Sequence, residues 1–98
     1  MSVAVSVVQE IDEYIRTHGG GYRAWYVGIA ANPRDRLFNG HCVREHGDLW
    51  IYRDAGSDAA ARQAESYFLS LGCRGGDGGG SFQTRFVYAY KMALQTRP

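Results

Sequence analysis

Ten arginines and a single lysine, Lys91, make up the basic residues of this 98-residue chain. A guanidinium presents a planar fork of donors that matches phosphate or carboxylate oxygens in pairs, whereas an ammonium acts as a point charge. Arg34, Arg36, His41 and Arg44 fall close together in the segment NPRDRLFNGHCVR, while Glu10, Asp12 and Glu13 make the first segment acidic. A local anion site accounts for such a cluster, and so does a set of solvated or ion-paired arginines. The net charge of +1 argues against a protein that coats nucleic acid through bulk electrostatics, because that binding scales with the number of phosphates neutralised.

Other motifs offer less. The segment CRGGDGGGS, residues 73 to 81, holds five glycines in nine residues. It has no Gly-Lys-Ser/Thr and leads into a strand, where a phosphate cradle should lead into a helix N-terminus, so it reads as a connecting loop. Cys42 and Cys73 stand 31 residues apart without a CxxC or CxxH partner. That spacing fits a reduced cytoplasmic protein better than a disulfide scaffold or a zinc site.

These residues must be positioned by one small domain spanning 1–98. A hydrophobic share of 45% with 21% charged residues is ordinary globular composition, and a chain of this length buries roughly two-thirds of its unfolded surface. The apolar runs are too short for a membrane span, and MSVAVSVV lacks the basic leader of a signal peptide. Val7, Val8, Ile11, Tyr14 and Ile15 recur at helical spacing over residues 3 to 18, before the glycines 19 to 21. YRAWYVGIA, from Tyr22, alternates as a strand with Tyr26 and Gly28 on one face and Trp25, Val27 and Ile29 on the other.

Asn32 followed by Pro33 starts a short helix through about Asn39, which Gly40 can end in a left-handed conformation. Leu49 to Tyr52 form a second strand, and Ser57 caps a helix with Ala61, Ala64, Phe68 and Leu71 as its buried stripe and Gly72 as its stop. QTRFVYAYK alternates again, with Phe86, Tyr88 and Tyr90 on one face, making a third strand. The fold class is therefore α/β of the α+β type: a small three-stranded, mostly antiparallel sheet with flanking helices.

Within this frame the stretch YVGIAANPRDRLFNGH, Tyr26 to His41, resembles the GIY-YIG nuclease superfamily. Tyr26, Val27 and Gly28 match its Tyr-Ile-Gly triplet, Asn32 matches its helix start, and Arg36 falls at the spacing of its functional arginine. His41 stands one residue later than the family's His or Tyr, and Glu65 in ARQAESYF occupies the context of its metal-binding glutamate. The likeness spans residues 22 to 71. No Gly-Ile-Tyr strand precedes Tyr26, and the glycine-rich loop replaces the family's late asparagine. If the last strand pairs beside the Tyr26 strand, Tyr88 or Tyr90 stands where the first-motif tyrosine would.

The resemblance implies a metal-dependent nuclease acting on nucleic acid phosphodiesters. Arg36 would neutralise phosphoryl charge, with Arg34 and Arg44 as further phosphate contacts, Tyr26 or His41 would relay a proton, and Glu65 would hold Mg²⁺ or Mn²⁺. Each residue also has a plainer role: Tyr26 as a core or rim aromatic, Arg36 paired with Asp35, Glu45 or Glu65, Glu65 supported by Arg62, and His41 at an exposed helix end. Two other functions remain open. One is an inactive binding module on the same scaffold; the other is a small homodimeric structural protein with Trp25 or Trp50 as interface anchors and the last strand as a pairing edge.

Overall fold

The computed structural model describes residues 3–76 and 84–98. Helix α1 (Val3–His18) leads into a 3₁₀ turn (Tyr22–Ala24) and strand β1 (Trp25–Ala30). Helix α2 (Pro33–Asp35) runs directly into a π turn (Arg36–Gly40), and strand β2 (Trp50–Asp54), helix α3 (Asp58–Leu71) and strand β3 (Phe86–Lys91) complete the order. The sheet is three-stranded with order β1-β3-β2, and both pairings are antiparallel. The last strand is therefore central, which removes it as the pairing edge expected from the sequence.

Strand alternation sorts the sheet into two unlike faces. Trp25, Val27 and Ile29 of β1, Ile51 of β2, and Val87 and Ala89 of β3 pack under α1 and α3, against Val7, Ile11, Ile15, Ala61, Ala64 and Phe68. Tyr26 and Ala30 of β1 with Tyr88 and Tyr90 of β3 lie on the opposite face with Leu37 and Val43, covered by the α2 segment. All six residues of β1 are consequently buried. Trp25 is fully buried, with its indole N–H donating to the Gly19 carbonyl at 3.0 Å, so it is a core residue and no exposed anchor.

Four local expectations change. The strand begins at Trp25, not Tyr22, because the Tyr22 hydroxyl donates to Asp12 on α1 at 2.6 Å and Ala24 N–H turns back to the Gly21 carbonyl. Gly40 lies inside the π turn, and the left-handed residue that ends the segment is Cys42, at φ 60°. Leu71 is 36% exposed, because the chain reverses at Gly72 (φ 114°) and buried Cys73 takes the next core place. Cys73 to Gly76 open the glycine-rich segment, and they are fixed against β1: Val27 N–H donates to Arg74 O at 2.8 Å and Arg74 N–H to Trp25 O at 2.9 Å. The rest of that segment, from Asp77, lies outside the described residues.

Both helix caps stand as the sequence places them. Asn32 accepts from the Asp35 N–H at 3.1 Å with Pro33 in the first helical position, and Ser57 accepts from the Ala60 N–H at 3.1 Å. Burial pushes the Cys73 thiol up to about 11, consistent with a packing role. Among the described residues, no helix is long and apolar enough to cross a membrane.

Candidate active site

Four elements deliver one side chain each to a single pocket of about 70 Å³. Tyr26 comes from β1, Arg36 from the start of the π turn, Glu65 from the middle of α3 and Tyr88 from β3, with Gly28, Ile29 and Gly76 completing the walls. Glu65 follows Ala64, a member of the buried stripe of α3, so it emerges where that stripe meets β1. The i→i+5 bond from His41 N–H to the Arg36 carbonyl, 2.9 Å, makes the π turn and links the two residues at its ends. Val43 N–H closes on the Leu37 carbonyl at 3.0 Å around left-handed Cys42, a Schellman-type stop that fixes the direction of the chain at His41.

Tyr88 is placed by its cross-strand partner. It pairs with Gly28, and a Cβ at that glycine would stand 2.5 Å from the Tyr88 hydroxyl. Only the bare backbone of Gly28 lets the phenol lie across β1. The hydroxyl then meets His41 Nε2 at 2.6 Å, with Arg36 near enough to oppose the rise that burial causes in the phenol. Gly76 plays a similar part for Tyr26, since a Cβ there would come within 2.6 Å of the Tyr26 hydroxyl.

The environment separates the titrating groups. Burial raises Tyr88 and Tyr90 well above the ordinary phenol range. Tyr26 is raised by burial and by the charge of Glu65, against the opposing pull of Arg36 and the Gly76 N–H. Burial lowers His41, and the nearby positive charge of Arg36 adds to that, while the Arg97 carbonyl opposes it. Burial raises the Glu65 carboxyl, with Arg62 opposing. His41 is thus held in its neutral form near pH 7, and Glu65 sits where a bound cation would relieve an unfavourable charge.

Of the residues singled out from sequence, Tyr26, Arg36, Glu65 and Tyr88 line the pocket together. His41 stands behind it, only 6% exposed, touching it through Tyr88. Tyr90 is buried beneath: its ring stacks on Tyr26 at 5.2 Å and its hydroxyl donates to the Arg97 carbonyl at 3.3 Å. Arg34 and Arg44 lie outside the pocket lining, Arg34 paired with Glu45 at 2.8 Å and Arg44 with Asp48 at 3.3 Å. Arg36 forms no ion pair with Asp35, Glu45 or Glu65, the partners its neighbourhood in the sequence offers.

No group of three or more His, Cys, Asp or Glu side chains gathers among the described residues. The donor set of the pocket is one carboxylate with two phenol hydroxyls. That set does not cage a cation, but it fits Mg²⁺ or Mn²⁺ held through one carboxylate, with waters and phosphate oxygens filling the remaining positions. The sequence offers no means of finding the Arg97 carbonyl that meets His41, because a backbone group carries no residue-type signal. No family model, curated protein or solved structure matches this chain.

Proposed function

We propose that the chain is a metal-dependent nuclease domain of rearranged GIY-YIG type, acting on nucleic acid phosphodiesters, with β3 supplying the tyrosine that the family carries on its first strand. The observation that carries this reading is the convergence of Tyr26, Arg36, Glu65 and Tyr88 on one pocket from four separate elements. Two details support it. Tyr88 lies beside Tyr26 through the antiparallel β1–β3 pairing. The π turn adds one residue to a helical turn, the same excess by which His41 trails the family spacing.

The chemistry follows from the hydrogen bonds. Arg36 faces the pocket free of carboxylate partners among the described residues, so its guanidinium neutralises the phosphoryl oxygens as charge builds. Tyr88 is a poor base alone, since its phenol is held above its ordinary range. Beside neutral His41, however, it takes a proton from the attacking water as it hands its own to Nε2. Tyr26 lines the pocket, where its O–H would donate to a phosphate or leaving oxygen. Glu65 would hold Mg²⁺ or Mn²⁺, which when bound supplies Lewis-acid polarisation of the phosphodiester. Arg34 would reach a flanking phosphate by exchanging an exposed ion pair that is worth little, whereas Arg44 would first have to release Asp48, whose side chain is 6% exposed.

The test is cleavage of end-labelled single- and double-stranded DNA and RNA with Mg²⁺ or Mn²⁺. Weak cleavage is expected, abolished by chelator and reduced about 100-fold or more in Arg36→Ala and Glu65→Ala. Cleavage that survives in both variants, or in chelator, rejects the assignment. A folded protein that binds oligonucleotides and cleaves none of them is instead the inactive binding module.

A further inference from the structure

His41 has a tyrosine hydroxyl beside each ring nitrogen, and at Nδ1 a backbone carbonyl lies nearer than the hydroxyl. Nε2 lies 2.6 Å from the Tyr88 hydroxyl, which can donate or accept, while Nδ1 lies 2.6 Å from the backbone carbonyl of Arg97, which can only accept. A hydrogen is therefore required on Nδ1, since the other tautomer would set two lone pairs against each other at that distance. We propose that the Arg97 carbonyl is a positioning group that fixes His41 as the Nδ1–H tautomer, so that Nε2 is left to accept the proton of Tyr88. This rests on the reading of Tyr88 and His41 as a proton relay.

The surroundings are built to hold that carbonyl in place. Arg97 N–H donates to the His41 carbonyl at 2.8 Å, so one residue of the tail grips both the backbone and the ring of His41. The Tyr90 hydroxyl stands 3.3 Å from both the Arg97 oxygen and His41 Nδ1, and with the hydrogen on Nδ1 it donates to the Arg97 carbonyl. The tail is tied upstream as well: Thr96 N–H bonds the Ala93 carbonyl at 3.2 Å, Ala93 N–H bonds Thr96 Oγ1 at 2.9 Å, and the Gln95 amide donates to Asp48. Left-handed Cys42 prevents the π turn from carrying His41 away from this clasp. The imidazole is thereby oriented by a group more than fifty positions away in sequence, which parallels how a ligating or catalytic histidine is commonly set by the bond at its other nitrogen.

Long-range ¹H–¹⁵N correlation spectra read the tautomer of each of the three histidines without any nucleic acid or metal. In the intact protein at neutral pH, His41 is expected as Nδ1–H. A full-length Pro98→Ala chain keeps the Arg97 amide carbonyl as acceptor and keeps that signature. One shortened to end at Thr96 shifts the tautomer ratio toward Nε2–H by about tenfold, the value of one ordinary hydrogen bond. Tyr88→Phe retains Nδ1–H. Should the shorter chain fail to fold, the double variant Gln95→Ala/Thr96→Ala loosens the tail without removing it and is expected to shift the ratio the same way. Retention of Nδ1–H in the folded Thr96-ending chain, or in that double variant when the shorter chain does not fold, overturns the proposal; so does its loss in Tyr88→Phe. The spectra decide the tautomer whether or not cleavage is found, so failure of the nuclease reading leaves a separate signature.

Discussion

Gly28 and Tyr88 form the tightest residue-level dependence in the site. A methyl group at Gly28 would meet the rigid, 1% exposed phenol of Tyr88 at 2.5 to 2.6 Å, with no flexible chain end to yield. Gly28→Ala is expected to destabilise by about 1–3 kcal/mol in urea denaturation, the usual cost of overpacking, and to break the bond between Tyr88 and His41. Glu65 behaves oppositely. Burial raises its folded pKa above the unfolded value, so the protonated form is favoured in the fold, and stability present at low pH is lost as pH rises through the folded pKa. Glu65→Gln should therefore raise neutral-pH stability by a few tenths of a kcal/mol after solvent screening, with no gain near pH 4, while Mg²⁺-dependent cleavage disappears. Thermal melts at the two pH values, run beside the cleavage assay, check both halves.

At the scale of elements, the α2–π segment is the least self-sufficient part of the site. Three α-helical residues and a five-residue π turn carry Arg36 and aim His41, and they cannot form a stable helix alone. They are held by the Asn32 cap at one end, the left-handed stop at Cys42 at the other, and buried Leu37 between. Asn32→Ala is expected to cost about 1 kcal/mol of stability. In the cleavage assay it should lower kcat more than it raises KM, because Arg36 then finds its transition-state position less often. An equal loss in Ile15→Val, a core change of similar cost on the opposite face of the sheet, would show instead that the assay tracks stability alone. The π turn itself has no sequence signature: NPRDRLFNG reads as an ordinary short helix, and only the packing of Leu37 and the clasp on His41 decide where its extra residue goes.

Across the whole molecule, placing β3 at the centre leaves β1 and β2 as the outer strands. The free side of β1 is already bonded to Arg74, and β2 presents exposed Arg53 and Asp54, charged residues that blunt an edge. Light scattering at micromolar concentration is accordingly expected to give a mass near the 10.9 kDa of one chain. A mass near twice that value would point to pairing along β2. With a net charge of +1 and at least five of the ten arginines held in ion pairs, oligonucleotide affinity should fall only gently with salt, with a slope equivalent to about two to four phosphates. A slope several times steeper would require an extended basic surface that this charge distribution does not provide.

What the sequence determined by itself was local. The stripe of Val7, Ile11 and Ile15, the caps at Asn32 and Ser57, the stop at Gly72 and the alternation of Phe86, Tyr88 and Tyr90 all follow from periodicity and from side-chain bonds to the nearby backbone, which act over a few residues. Tyr26, Arg36, His41 and Glu65 were legible as candidates through the resemblance of their motifs to the GIY-YIG pattern, which is likewise read along the chain. Tertiary structure alone decided that β3 enters between β1 and β2, because antiparallel ladders are chosen by which faces bury together and by how loops close, neither of which a short window contains. That one choice brings Tyr88 over Gly28 and into contact with His41 Nε2, while Tyr90 on the same face stacks on Tyr26 and stands beside His41 Nδ1. The Arg97 carbonyl is the extreme case: every residue carries that group, so only the folded chain could give it a role at His41.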